Sequence, residues 1–229
     1  MKTIISDKSI LCKNAAKYIA ELLKEKKDAN IAFSAADLDD EFFDCMADFC
    51  KAGEADFANA KIFGVGEFVS EKILASNLTG RLLDKINVRR ENCFLPDDSN
   101  YDTYDDLIAS FGGLDLIVLG IGSNCRLAFN EPGTPFSSLT HIQKLTEVSV
   151  KQLGAFFSGE AKIPEKVITL GIKSITNAKR ILLMVFGEEL SDALFSTVYA
   201  RNDASVPSAF LQIPLEVTIF ADRAAAIKL

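Results

Sequence analysis

Short apolar runs alternate along this 229-residue chain with longer stretches whose apolar residues recur every three or four positions. Residues 1–6, 30–34, 60–65, 93–95, 114–119, 166–172, 180–187 and 217–221 read as strands. The first helix is predicted from a cap at Asp7 or Ser9, through Ala15, Ala16, Ile19, Leu22 and Leu23, to the lysine-rich residues 24–27. Positive charge there suits the negative end of the helix dipole. Further helices are predicted over residues 38–51, 70–86, 104–111, 190–200 and 206–212, with a short one at 174–179. The helix at 38–51 carries Phe42, Phe43, Met46 and Phe49 on one side and a solvated acidic face on the other. Residues 96–103 read as polar loop, and residues 141–157 as mixed loop and helix. Strands alternating with helices predict an α/β fold, with a mostly parallel central sheet covered on both faces. No repeat, low-complexity run or linker interrupts the pattern, so a single domain over residues 1–229 is expected.

Residues 114–119 (LDLIVL) form the most continuous apolar run, broken only by Asp115, as expected of a strand buried on both faces. The run stops at Gly120-Ile121-Gly122, followed by Ser123, Asn124, Cys125 and Arg126. In open α/β sheets, ligands sit beyond the carboxyl ends of central strands. Glycines at such a place let backbone and ligand approach closely, although a Gly-x-Gly also suits a plain tight turn. Next comes Ala128-Phe129-Asn130-Glu131-Pro132-Gly133, a carboxamide and a carboxylate beside a rigid turn.

The whole segment, GLDLIVLGIG then LAFNEPG then Ser-Ser-x-Thr, closely resembles the central motif of the amino-sugar-phosphate deaminase/isomerase family. That family includes glucosamine-6-phosphate deaminase, galactosamine-6-phosphate isomerases and, more distantly, 6-phosphogluconolactonase. The resemblance implies a three-layer, Rossmann-like domain. It also implies ring opening by a histidine with acidic neighbours, proton transfer by a carboxylate near C2, and release of ammonia. A Gly/Ser/Thr-rich loop and basic side chains would hold the sugar phosphate.

Carried over position by position, much of that machinery is replaced. The family's Asp-Gly-His falls on Asn124-Cys125-Arg126, so an arginine that stays protonated stands for the proton shuttle. The proton-abstracting aspartate of Met-Asp-Glu-Tyr falls on Gly66, within Val65-Gly66-Glu67-Phe68. The phosphate loop falls on Ser34-Ala35-Ala36-Asp37, which has no glycine and puts an aspartate where an anion should sit. The basic residue after the penultimate strand falls near Glu188-Glu189-Leu190, and an arginine position falls on Ala155. Each charge-assisted hydrogen bond to a buried anion contributes about 1.5–3 kcal/mol, so these losses would weaken sugar-phosphate binding severely.

The carboxylates the motif retains, Glu131 and Glu67, are the candidate catalytic residues. Gly66, Gly120, Gly122, Asn124, Cys125, Arg126, Asn130 and Ser34 are the candidate ligand-binding residues. Three readings stay open. One is a ligand-binding or altered-activity homologue in carbohydrate metabolism. The second is a working isomerase or deaminase that uses Glu67 and Glu131, and the third a lactonase-like hydrolase. Arg126 is expected to pair with Glu131 or Glu67, or to bind an anionic ligand. Cys125 is expected to line the pocket, with nucleophilic chemistry the alternative that a neighbouring cation would favour. The lone His141 is expected on a polar loop.

Composition narrows the partners. Hydrophobic residues make up 48% and charged residues 25%, as in ordinary globular chains. A net charge of −7 without a basic patch argues against nucleic acid. Five cysteines without a CxxC, and no recognisable signal peptide, predict reduced thiols in a cytoplasm. One histidine excludes a multi-histidine metal site, and no cofactor is implied. No apolar run approaches the roughly 20 residues of a membrane-spanning helix. The expected partner is a sugar phosphate or related small anion, and a homo-oligomer stays open.

Overall fold

A computed structural model describes residues 1–154 and 163–229; Ala155 and its neighbours Phe156 and Phe157 lie outside the described residues. Seven parallel strands form the main sheet: β1 (Lys2–Ile5), β2 (Asn30–Phe33), β3 (Lys61–Gly64), β5 (Cys93–Phe94), β6 (Leu116–Leu119), β9 (Ile181–Val185) and β10 (Val217–Ala221). Their spatial order is β1-β10-β9-β6-β2-β3-β5. The organising strand β6 is therefore fourth of seven, and every one of its residues is buried.

Successive side chains of a strand point to opposite faces, and each face here meets its own apolar cluster. Ile31, Phe33, Leu116, Val118, Leu182 and Met184 pack with residues of α1 (Lys8–Glu25), α2 (Asp40–Lys51) and α3 (Ile73–Leu78). Ala32, Ile117, Leu119, Ile181, Leu183 and Val185 pack with residues of α4 (Tyr104–Ser110), α6 (Ile172–Thr176) and α7 (Ser191–Tyr199), and with a 3-10 turn at Pro207–Gln212. The result is the three-layer, Rossmann-like α/β arrangement. Phe42, Phe43 and Met46 on α2 belong to the first cluster.

Three strands depart from the expected pattern. β4 (Gly66–Phe68), β7 (His141–Lys144) and β8 (Lys166–Thr169) form a separate antiparallel sheet in the order β4-β8-β7. Residues 166–172, expected in the parallel sheet, instead give β8 between two partners of opposite direction. His141 lies on β7 rather than on a loop, with its ring nitrogens near the Leu139 carbonyl oxygen and Gln143 Oε1. The helix expected over 70–86 is α3 continued by a π-helical turn at Thr79–Leu83. A last helix, α5 (Glu147–Leu153), starts at Thr146, whose side chain accepts a hydrogen bond from Ser149 N–H.

A cleft at the carboxyl edge of the sheet

The carboxyl ends of β2, β3 and β6 release three loops on the same edge of the sheet. The loop after β6 is held tightly: Gly122 N–H donates to Arg126 O, and Cys125 N–H to Gly122 O, at 3.0 and 2.9 Å. Cys125 (φ +65°) and Ala128 (φ +51°) are left-handed, a conformation costing roughly 1–2 kcal/mol for a side-chain-bearing residue. Cys125 takes that conformation where the resembled motif carries glycine. Burial raises its thiol above the ordinary range, with Ser196 pulling the other way, so the nucleophile reading loses its chemical basis.

Arg126 is the largest side chain among the most deeply buried residues, 1% exposed. Its partner is neither Glu131 nor Glu67. Nη2 donates to Asp37 Oδ1 at 2.7 Å and Nη1 to Asp37 Oδ2 at 3.4 Å, while Nη1 also donates to the Ala128 carbonyl. The guanidinium lies 5.3 Å from the Phe129 ring centre. Its Nε is buried without a hydrogen-bond partner. Asp37 comes from the loop after β2 and also accepts from Ser34 Oγ at 2.8 Å; its side chain is only 4% exposed.

The glycines serve this ion pair. A Cβ on Gly120 would stand 2.7 Å from Asp37 Cβ, and one on Gly122 would overlap the Arg126 side chain. The close approach these glycines permit is therefore made by the chain's own Asp37 and Arg126. Gly66, in β4, is walled in as well. A Cβ there would overlap the Ile168 carbonyl oxygen across the β4–β8 pairing and sit 3.1 Å from the Phe129 ring.

Both candidate carboxylates are buried and fully engaged. Glu67 accepts from the backbone N–H of Phe68, Leu74 and Ala75 at 2.7, 3.0 and 2.7 Å, and so caps the start of α3. Burial pushes its carboxyl above the usual value, and these amides pull it back down only in part. Glu131 accepts from Asn124 Nδ2 at 2.7 Å and from Thr146 N–H and Oγ1, both at 3.1 Å. Asn130 donates to the carbonyls of Leu127 and Leu170 at 2.9 and 2.8 Å.

A cleft of about 440 Å³ opens between these loops, lined by residues 36–40, Asn77, Arg81, Ile121, Arg126, Gln152, Leu153 and Leu190. Of the sequence-predicted site residues, only Arg126 is among its lining. The sequence places Asp37 in the phosphate loop but does not pair it with Arg126, although the two are complementary in charge, and Arg81 gives no signal there. Arg81 spends its guanidinium on Asp40, Asn77 and the carbonyls of Ala35 and Leu38, and stacks 4.5 Å over Phe43. Glu188–Leu190 form a 3-10 turn that brings Leu190, rather than a cation, to the cleft. Among the described residues no group of three or more His, Cys, Asp or Glu is placed to hold a metal, and no helix is long and apolar enough to cross a membrane.

Residues 6–219 match the family model for glucosamine-6-phosphate isomerases and 6-phosphogluconolactonase. The chain belongs to this family. A glucosamine-6-phosphate deaminase of Halalkalibacterium halodurans is 44% identical over 153 residues, which are 64% of this chain and 62% of that relative. One from Clostridioides difficile is 35% identical over 187 residues, 76% of this chain and 74% of the relative. Among solved structures, a monomeric glucosamine-6-phosphate deaminase superposes with a TM-score of 0.95 at 26% identity, covering 99% of both chains. This member of the deaminase/isomerase family thus keeps the fold of the family and carries the Arg126–Asp37 pair in its cleft.

Proposed function

We propose that this single-domain, cytoplasmic family member does not carry out ring-opening deamination of hexosamine 6-phosphates, and works as a ligand-binding or altered-activity homologue in carbohydrate metabolism. The observation that carries this reading is the buried Arg126–Asp37 ion pair. It puts a permanently charged guanidinium at the position assigned to the proton shuttle, and ties it to a carboxylate from the loop assigned to the phosphate. The walled-in Gly66 supports the same reading, since no carboxylate fits at the position assigned to the C2 base. Glu67 and Glu131, the remaining carboxylates, are spent on backbone amides, Thr146 and Asn124.

The competing reading is an active deaminase using those two carboxylates, favoured by the names of the relatives. A coupled ammonia-release assay on glucosamine 6-phosphate and galactosamine 6-phosphate decides between them. We expect turnover at least ~10⁴-fold below a competent deaminase, because two proton-transfer groups worth roughly 10²–10⁴ each are absent. Ordinary turnover that disappears in Glu67→Gln and Glu131→Gln would establish the competing reading.

A further inference from the structure

A buried guanidinium that presents two nitrogens to a carboxylate at the wall of a polar cleft is an oxyanion site by its chemistry. Arg126 lines the cleft and is 1% exposed; its spare donor, Nε, is buried beside Gly122, while Nη1 and Nη2 hold the Asp37 carboxylate. Among the described residues, the carboxylate hydrogen-bonded to it is Asp37, contributed by a loop remote in sequence. A hydroxyl, Ser34 Oγ, completes the set of donors to that carboxylate. We propose that Arg126 and Ser34 form an oxyanion site whose anion the chain itself supplies: Asp37 occupies it and bars phosphate monoesters from the cleft. The proposal deepens the reading above and rests on it.

The other charges around the cleft agree. Arg81 is paired with Asp40, and Lys8 with Asp39 at 2.5 Å, so each cation is already matched by a carboxylate. Two backbone donors nearby are taken too: Glu41 N–H at the start of α2 donates to the Asp39 side chain, and Ser34 N–H after β2 to Val118 O. A phosphate entering the wild-type cleft would meet Asp37, and the described cations nearest the cleft, Arg81, Lys8 and Arg126, already have carboxylate partners. Removing the Asp37 carboxylate changes that balance at one position, leaving the Arg126 guanidinium and the Ser34 hydroxyl facing unfilled space.

The test is calorimetry and thermal shift on the full chain with inorganic phosphate, against sodium chloride at matched ionic strength. Wild type is expected to give no saturable heat and no phosphate-specific shift. Asp37→Ala is expected to bind phosphate at least 30-fold more tightly than wild type and to gain melting temperature with phosphate but not with chloride. Adding Arg126→Gln should abolish the gain. If Asp37→Ala does not fold without ligand, Asp37→Asn keeps the shape, removes the charge and should show the same phosphate-specific shift. Phosphate binding by wild type with the affinity of the variants overturns the proposal, as does no gain in either variant. Ammonia release by wild type is read separately, so failure of the functional reading and failure of the Asp37 assignment are distinguishable.

Discussion

At Gly66 a missing side chain carries structural meaning. Its α-carbon faces the Ile168 carbonyl and the edge of Phe129, with no room for a single added carbon. Gly66→Asp, the substitution that would reinstate a carboxylate in the register of the motif, is therefore expected to destabilise rather than to activate. Overpacking of this kind costs about 1–3 kcal/mol, and burying an uncompensated carboxylate adds to it. A urea titration checks this; a variant as stable as wild type with new deaminase activity would refute it. Residue identities at the motif were legible in the sequence, but their engagements were not. Arg126 and Asp37 lie far apart along the chain and meet only because β2 and β6 are neighbours. Glu67 looks like a free carboxylate in sequence, and only the placement of α3 over it reveals a cap.

Among the central strands, legibility followed burial. β2, β6, β9 and β10 are covered on both faces, so their apolar runs stand out. β7 did not stand out because HIQK is polar and alternates half-buried with exposed. β4 has only three residues, one of them glycine. β8 was visible as a strand, but an apolar run does not say which sheet it joins. Asp115, the polar exception in the organising run, connects elements rather than a ligand. Its side chain accepts from Lys26 Nζ beyond α1 at 2.6 Å, Asn30 N–H of β2 at 2.8 Å and Lys179 Nζ before β9 at 2.8 Å. Burial raises its carboxyl, but these three bonds together win and hold it below the usual aspartate value. The native state therefore binds the proton more weakly than the unfolded chain, whose aspartates titrate near pH 3.9. The stabilisation is complete above about pH 4 and disappears as pH falls through the depressed native value. Asp115→Asn should cost about 1.5–3 kcal/mol at pH 7. In paired denaturation curves at pH 7 and pH 3, the gap between variant and wild type should narrow at the lower pH. A gap that stays constant would mean that the Asp115 charge contributes nothing.

For the whole molecule, the parallel sheet explains why loops from distant parts of the chain share one edge, and why a family fold can persist while its cleft is refitted. The same strand order has a consequence for biosynthesis. Among the described residues β1 is an edge strand that pairs with β10, with Lys2 beside Thr218 and Ile5 beside Ala221. β1 thus waits for a strand made much later, and β10 must slot between β1 and β9 to finish the sheet. Such distant pairing is paid for in chain entropy before any contact rewards it. Folding during synthesis therefore includes a late zipping step, and a ribosome-held chain should acquire protease resistance in β1 and α1 only after Ala221 has cleared the exit tunnel. Chains stalled with residue 216 or residue 229 just outside the tunnel test this by limited proteolysis. Equal resistance of the two would mean that the N-terminal strand is secured before its partner exists. Until that moment, the open side of β9 is an unpaired strand edge on which a second nascent copy can add its own last strand.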